Sequence, residues 1–223
     1  MTWTGRYSPE PVNDDLERRI RAGAIDALQT QSVLGTVVPR SIPADAIVRP
    51  FVTELPISAQ DGDEIRFLAD SDNGVVWHLR YRANAPSDYR WEFLGGPSLY
   101  AEVTTSQSTA SGSFTDLGTV GPAVTLPAAG DYDVEIGAGS AWSNTNSQAF
   151  FMSYAIGSTA ASASDAIFGQ DASNPTVASR YRRRRKTGLG AVTLTAKYQS
   201  NGGATATFQD RFMIVTPVRL GRT

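Results

Sequence analysis

His78 is the only histidine of this sequence, and it limits the acid–base chemistry that the chain could perform. A Ser-His-Asp triad would have a single possible base. The single histidine excludes histidine-rich metal sites, and the absence of cysteine excludes thiolate ones. His78 alternates with apolar neighbours in a strand-like run and lies two residues from Arg80. This position is typical of a solvated or interface histidine, so we predict no catalytic role for it.

Three carboxylates, Asp131, Asp133 and Glu135, alternate along a second strand-like run and therefore share one face of it. A carboxylate pair could serve glycoside hydrolysis, but we expect such acids in a cleft lined by aromatic residues. Here the apolar residues lie on the opposite face, which is formed by Tyr132, Val134 and Ile136. The pattern favours a solvated or salt-bridged strand face over an active site.

The stretch Asp70-Ser71-Asp72-Asn73-Gly74 begins like a calcium-binding loop. It lacks the later ligands and the bidentate glutamate of an EF-hand. Asp and Asn are common in turns, and Asn-Gly supplies the positive φ angles of a tight hairpin. The sequence therefore predicts a hairpin turn here, with no metal and no cofactor.

The segment 180–186, RYRRRRK, is the strongest cluster of charge in the chain. As an isolated heptapeptide it would indicate nucleic-acid or polyanion binding. On a strand, however, Arg182 and Arg184 point to one side and Arg183 and Arg185 to the other, so no face carries the whole charge. We predict a cross-strand or intersubunit ladder, with the carboxylate face described above as the candidate partner. Arg182 and Arg184 are assigned to an assembly interface, and no nucleic-acid partner is expected.

The tryptophans could stack on sugars. Trp77 and Trp91 lie on the apolar sides of their strand-like runs, which predicts core packing for both. Trp142 lies in the polar stretch GSAWSNTN, which we interpret as a loop. It is the tryptophan that we predict could contact a glycan.

The elements that must position these residues are mainly β-strands. Residues 57–96 are predicted to form a small, aromatic-rich antiparallel meander with strands at 64–69, 75–82 and 90–94. Residues 97–223 show about eight further strand-like runs without a helical pattern, which predicts an antiparallel β-sandwich such as a jelly roll. These runs are 99–104, 113–117, 123–126, 130–138, 149–156, 176–184, 191–199 and 204–215. The segment 157–174 is rich in small residues and is predicted to be a long loop.

Residues 1–56 are predicted to form an arm for attachment and assembly, and a helix is expected over about 15–32, after a capping box. The narrow apolar stripe of this helix includes Leu16, Ile20 and Leu28. Such a stripe needs a partner, which could be the β domain of the same chain or a second copy around a symmetry axis; we favour the second copy.

The rest of this arm, residues 35–56, carries prolines at 39, 43, 50 and 56. This spacing forbids a helix and favours an extended segment. Its apolar residues, among them Phe51, are too numerous for a solvated linker. We therefore expect the segment to lie in a groove on a neighbouring molecule.

Composition bounds the class of protein. The 223 residues are 41% hydrophobic and 19% charged with a net charge of −2, which is typical of a globular protein without a global attraction to nucleic acid or anionic membranes. No apolar run approaches the ~18 residues of a membrane span, and the first residues do not read as a signal peptide. Membrane insertion is not expected, and the sequence predicts synthesis in a cytoplasm.

Two segments of the predicted meander, GDEIRFLADSDNGVVWHLRYR and YRWEFLGGPSLYAEV, resemble a module of tailed-bacteriophage structural proteins. In minor tail and tail-fibre-like proteins this module precedes a C-terminal jelly roll. The segments TDLGTVGPAVTLPAAGDYDVEIGA, FFMSYAIG, SRYRRRRKTGL and LTAKYQSNGGATATFQDRFMIVTPV agree with that pattern. The resemblance covers roughly residues 57–218. Such jelly rolls are similar to the C1q and tumour-necrosis-factor type, which implies a homotrimer.

The resemblance implies a non-enzymatic virion component, made in the host bacterial cytoplasm, that docks on other virion proteins through residues 1–56. Its jelly roll could contact a host cell-surface glycan. A head fibre or capsid decoration protein is the second interpretation, because the proline-rich arm would suit a capsid groove. A glycan-cleaving depolymerase comes third, since an acid pair lined by aromatic residues is not apparent.

Overall fold

The computed structural model describes residues 51–145, 147–170 and 180–221, and all structural statements below refer to these residues. They belong to one compact unit that starts at Pro50. The unit contains twelve strands and one short 3₁₀ turn, Ala163–Asp165. The strands are β1 Glu64–Asp70, β2 Val75–Tyr81, β3 Trp91–Gly95, β4 Leu99–Val103, β5 Gln107–Thr109, β6 Ala123–Thr125, β7 Ala129–Ser143, β8 Phe150–Ile156, β9 Ile167–Gly169, β10 Arg180–Leu189, β11 Thr193–Ser200 and β12 Ala206–Gly221.

Two antiparallel sheets form a jelly roll, which confirms the predicted mainly-β sandwich. The first sheet contains the order β4/β5-β12-β7-β10, because β4 and β5 pair with successive parts of one edge of β12. The second sheet has the order β6-β11-β8-β9. Counting β4 and β5 as one strand, these are the strand orders 1-8-3-6 and 2-7-4-5, the arrangement of two interlocked Greek keys.

The meander β1-β2-β3 extends the first sheet, since β3 pairs with the C-terminal end of β12 at Arg219 and Leu220. No break in hydrogen bonding separates the predicted meander at 57–96 from the sandwich within the described residues; the eight strands form one sheet. Val52 forms an isolated parallel bridge with Phe67 on the outer edge of β1. The chain thus enters the domain beside the meander.

Strand alternation determines which side chains enter the core. In β7, Tyr132, Val134 and Ile136 are 0% exposed, as the period of two predicts. In the meander, Trp77 and Trp91 are buried, as predicted. The Trp77 ring packs against Phe67 and Phe93 with centroid distances of 6.1 Å to each, and its Nε1 donates to the carbonyl of Pro97.

Strand β12 contains one irregularity that alternation does not predict. Asp210 has a φ of +50°. Phe208, two residues before it, and Arg211, directly after it, both have fully buried side chains although they are three positions apart. The buried Arg211 guanidinium donates to the carbonyl of Thr105 at 3.3 Å and lies 5.3 Å from the ring centroid of Tyr198. Burial raises the pKa of Tyr198 to about 12, against the opposite effect of Arg211.

Most predicted strands are present, with bounds shifted by a few residues. The prediction of a strand at 113–117 was wrong: this segment contributes only an isolated bridge, Thr115 to Tyr198. The short strands β5 and β9 were not predicted, and β9 and the 3₁₀ turn lie inside the predicted loop 157–174. The predicted helix at 15–32 lies outside the described residues. Among the described residues, no helix is long and apolar enough to cross a membrane.

The predicted hairpin between β1 and β2 is present but is wider than a two-residue turn. Four residues, 71–74, separate Asp70 from its partner Val75. Gly74 has a φ of +65°, whereas Asn73 is not in the positive-φ region. The Asp70 carboxylate organises the loop, because it accepts bonds from the backbone N–H groups of Asp72 and Asn73 and from the Asn73 amide.

Candidate interaction surfaces

The basic segment 180–186 lies on β10, at the edge of the first sheet, and its alternate side chains have different partners. One set reaches across the open side of the sandwich to β9 and the 3₁₀ turn, at the edge of the second sheet. We call this set the basic lace: Arg180 to the carbonyl of Phe168 (3.4 Å), Arg182 to that of Ala166 (2.8 Å), Arg184 to that of Ser164 (2.7 Å), and Lys186 to the carboxylate of Asp165 (2.5 Å). The lace joins the two sheets within one chain.

The other set faces outward and meets β7. Arg185 contacts Asp133 through Nε at 2.6 Å and Nη2 at 3.0 Å, and Arg183 contacts the same carboxylate at 2.7 Å. Arg185 and Arg183 hold the pKa of Asp133 below its ordinary value, because both favour the ionised form. The predicted cross-strand charge ladder is therefore present within the chain.

The members of this ladder differ from those expected. Antiparallel pairing places Arg183 opposite Glu135 and Arg185 opposite Asp133, so the outward pair meets the carboxylates. Arg182 and Arg184 bond to backbone carbonyls of their own chain, and their assignment to an assembly interface stays a prediction. The sequence alone showed that alternate side chains of segment 180–186 point to opposite sides of the strand. Only the pairing register with β7 decides which of the two sets faces the carboxylates.

The outward face of the first sheet carries an aromatic and apolar patch beside the carboxylates of β7. Along β12, Phe212 and Ile214 point outward and are half-buried. Beside them, Tyr100 on β4 is 56% exposed and Tyr181 on β10 is 69% exposed. We call this surface the aromatic face, defined by Tyr100, Tyr181, Phe212 and Ile214. Nothing in the described part of the chain covers it.

Phe212 is set flat on this face by a glycine. A Cβ atom at Gly137 would lie 2.3 Å from the Phe212 ring, so only glycine permits this contact. The aromatic face was not predicted. The sequence feature that could have indicated it is the run Phe212-Met213-Ile214-Val215. This run is apolar on both sides of β12, which is typical of a strand covered on both faces.

The groups considered for catalysis and metal binding have structural partners. His78 is exposed and bonds through Nε2 to Glu64 at 2.8 Å, and Arg80 contacts the same carboxylate. Arg80 is the largest cause of the lowered pKa of Glu64, and His78 adds to it. Within the described ranges, no cluster of three or more His, Asp or Glu residues could hold a metal ion.

Of the remaining predicted site residues, Leu16, Ile20 and Leu28 lie outside the described residues. Phe51 is 49% exposed, with the Arg66 guanidinium 5.7 Å from its ring centroid. The prediction that Trp142 lies in a loop was wrong. Trp142 belongs to β7, where it pairs with Thr207 of β12 and is half-buried. Its neighbours Ala141 and Ser143 are buried, so Trp142 points to the outward face of the first sheet, next to the loop that begins at Asn144.

No family model and no curated protein matches this chain. Among solved structures, Eiger TNF from S. frugiperda is similar at 10% identity and a TM-score of 0.36, over 57% of this chain and 95% of that one. The CBM22-1–GH10 modules of Clostridium thermocellum xylanase Xyn10B, complexed with xylohexaose, match at 10% identity and a TM-score of 0.24, over 71% of this chain and 25% of that one. The structure of infectious bursal disease virus (Gx strain) matches at 9% identity and a TM-score of 0.21, over 66% of this chain and 46% of that one. The jelly-roll assignment rests on the strand order, not on these similarities.

Proposed function

We propose that the protein is a non-enzymatic structural component of a tailed-phage virion, of the minor tail or fibre type, that assembles as a homotrimer. The observation that carries the proposal is the aromatic face on a jelly-roll sheet, which no described residue covers. Exposed aromatic groups on one continuous face are typical of interaction surfaces. The phage assignment and the number three come from the sequence resemblance.

The outward side of the first sheet, of which the aromatic face is one part, is large enough for a second copy of the chain. Strand β12 has 16 residues, which corresponds to about 50 Å, and four strands span about 19 Å. The area of the whole outward side, about 950 Å², exceeds the ~800 Å² that each partner contributes to a standard protein interface.

The non-enzymatic part of the proposal draws on the partners of the acidic and imidazole groups. Asp133 is bound by two arginines and His78 is tied to Glu64. A glycosidase needs a free acid pair at a defined separation across a bound sugar. Incubation with host polysaccharide should release no reducing ends, and release would revive the depolymerase interpretation.

Oligomeric mass tests the assembly. Mass photometry of the full chain should give about 72 kDa, three times 23.9 kDa. The variant Ile214→Glu should shift the mass toward the monomer, because it places a charge at the centre of the aromatic face. The matched control is Val120→Glu, at a site that is 60% exposed and outside this face. A monomeric wild type at micromolar concentration, or equal effects of both variants, would contradict the proposal.

Residues 1–56 are proposed to attach the protein to other virion proteins. Deletion of residues 1–34 should abolish incorporation into particles and leave the circular dichroism of the β domain unchanged. Truncated protein that still copurifies with virions would contradict an anchoring arm. Imaging of labelled particles would distinguish a tail position from a capsid position. The capsid alternative remains because the proline-rich segment 35–56 would suit a groove on a capsid.

A further inference from the structure

Three loops meet at the end of the sandwich that is farthest from the meander. They are 110–114, 144–149 without residue 146, and 201–205, and we call them the tip. Backbone bonds join them: Asn144 N–H donates to the carbonyl of Thr205 at 2.9 Å, and Asn201 N–H to that of Ala149 at 2.9 Å. Ser200 N–H donates to the carbonyl of Ser111 at 2.8 Å. The tip is therefore one surface.

Side chains also connect the loops. The Asn144 amide oxygen accepts from the backbone N–H of Thr205 at 2.8 Å, and the Gln199 amide donates to the carbonyl of Gly112 at 2.7 Å. The Gln148 amide lies against Gly202, where a Cβ atom would come within 1.9 Å of its oxygen. Loops that are joined by such contacts lose less conformational entropy on binding a ligand than separate loops would.

The three tip loops carry no charge. The segments 110–114, 144–149 and 201–205 contain no Asp, Glu, Lys, Arg or His. Because 19% of the whole chain is charged, about three charged residues would be expected in loops of this combined length. The exposed side chains are instead amides and hydroxyls, including those of Asn144, Thr145, Ser147 and Asn201.

We infer that the tip binds a neutral polysaccharide. Asn and Gln amides both donate and accept, as sugar hydroxyls do, and Ser, Gly and Asn supply adaptable hydrogen bonding in binding loops. Trp142, two residues before Asn144, adds an aromatic ring on which a sugar could stack. An anionic glycan would call for lysine or arginine, which the tip lacks.

The position of the tip agrees with this role. The chain enters at Val52 beside the meander, and β12 runs from the tip at Ala206 to the meander at Leu220. This distance is about 45 Å for an extended strand. The inference rests on the proposed role as a virion component, since a domain attached at the meander end presents the tip outward.

Glycan binding by the full chain tests the inference. Dextran, mannan and galactan serve as neutral probes, and dextran sulfate and heparin as anionic ones. We expect binding to at least one neutral probe, little change between 50 and 500 mM salt, and no preference for the sulfated polymers. Binding to no neutral probe, or preferential binding to the sulfated ones, would overturn the inference.

Two variants locate the site. Asn201→Asp keeps the shape of the side chain but replaces its amide donors with a charge, and Trp142→Ala removes the ring; each should weaken neutral-glycan binding about tenfold. Asn84→Asp, at an exposed position in the meander, is the matched control and should have no effect. A trimer that binds no neutral probe overturns this inference alone, whereas a glycan-binding monomer overturns the proposed assembly alone.

Discussion

The two ends of the sandwich are built from the same long strands but are held by different chemistry. At the meander end, Trp77 and Trp91 fill the core, and the surface carries the ion pairs of Glu64 with Arg80 and of Glu92 with Arg82. At the tip, neutral amides and backbone groups join the loops. The comparison teaches that the two ends of the same strands use different contacts: one end buries large rings, and the other leaves hydrogen-bonding groups exposed.

The largest expected difference concerns the tryptophans of the two ends. Trp77→Ala should lower the free energy of unfolding by about 3–5 kcal/mol, because it empties a fully buried site. Trp142→Ala should cost less than about 1.5 kcal/mol, since that ring is only half-buried. Chemical denaturation of both variants measures this difference. Equal losses would mean that the tip ring is a core residue.

The basic lace should matter more than the outward arginines of the same strand. Arg182→Ala with Arg184→Ala removes two charged hydrogen bonds between the sheets, and we expect a loss of about 1–2 kcal/mol. The paired control, Arg183→Ala with Arg185→Ala, removes exposed ion pairs and should cost about 0.5–1 kcal/mol. Thermal unfolding compares the two. If only the control variant changes the oligomeric mass, the outward set alone contributes to assembly.

Acid should weaken the charged half of the sheet and leave the tip intact. The pKa values of Glu64, Glu92 and Asp133 are lowered, chiefly by Arg80, Arg82 and Arg185 respectively. A lowered carboxyl pKa contributes stability that is present above the ordinary values of 4.5 for Glu and 3.8 for Asp, and that is lost as pH falls through the folded-state pKa. Glu92→Gln should therefore flatten the fall in melting temperature below about pH 4.5. If the melting temperature of the variant falls as steeply below pH 4.5 as that of the wild type, the ion pair of Glu92 with Arg82 contributes nothing.

Salt should have the smallest effect. Raising NaCl from 50 to 500 mM should lower the stability by about 0.2–1 kcal/mol, because the outward ion pairs are partly solvated and screened. The Asp133→Asn variant should lose part of this dependence, since its carboxylate binds both Arg183 and Arg185. Urea midpoints at the two salt concentrations measure the effect, and equal dependence in the wild type and the variant would place the salt-sensitive contacts elsewhere.

The sequence alone determined the strand pattern and its burial. A period of two is a local property of the backbone, so it correctly separated Tyr132 from Asp133 and placed Trp77 in the core. It also established that the arginines of 180–186 point to opposite sides. The same local reasoning missed β5 and β9, because three-residue strands carry too few side chains to show a period.

Only the tertiary structure decided which residues meet. The register of β10 against β7 gave the carboxylates to Arg183 and Arg185, and the approach of β9 gave backbone carbonyls to Arg182 and Arg184. The Asp210 irregularity brought Arg211 into the core, and the continuation of β7 past Ala138 moved Trp142 from a loop to a sheet face. The physical reason is that pairing and layering join residues far apart in the chain, and a one-residue shift of register changes every partner.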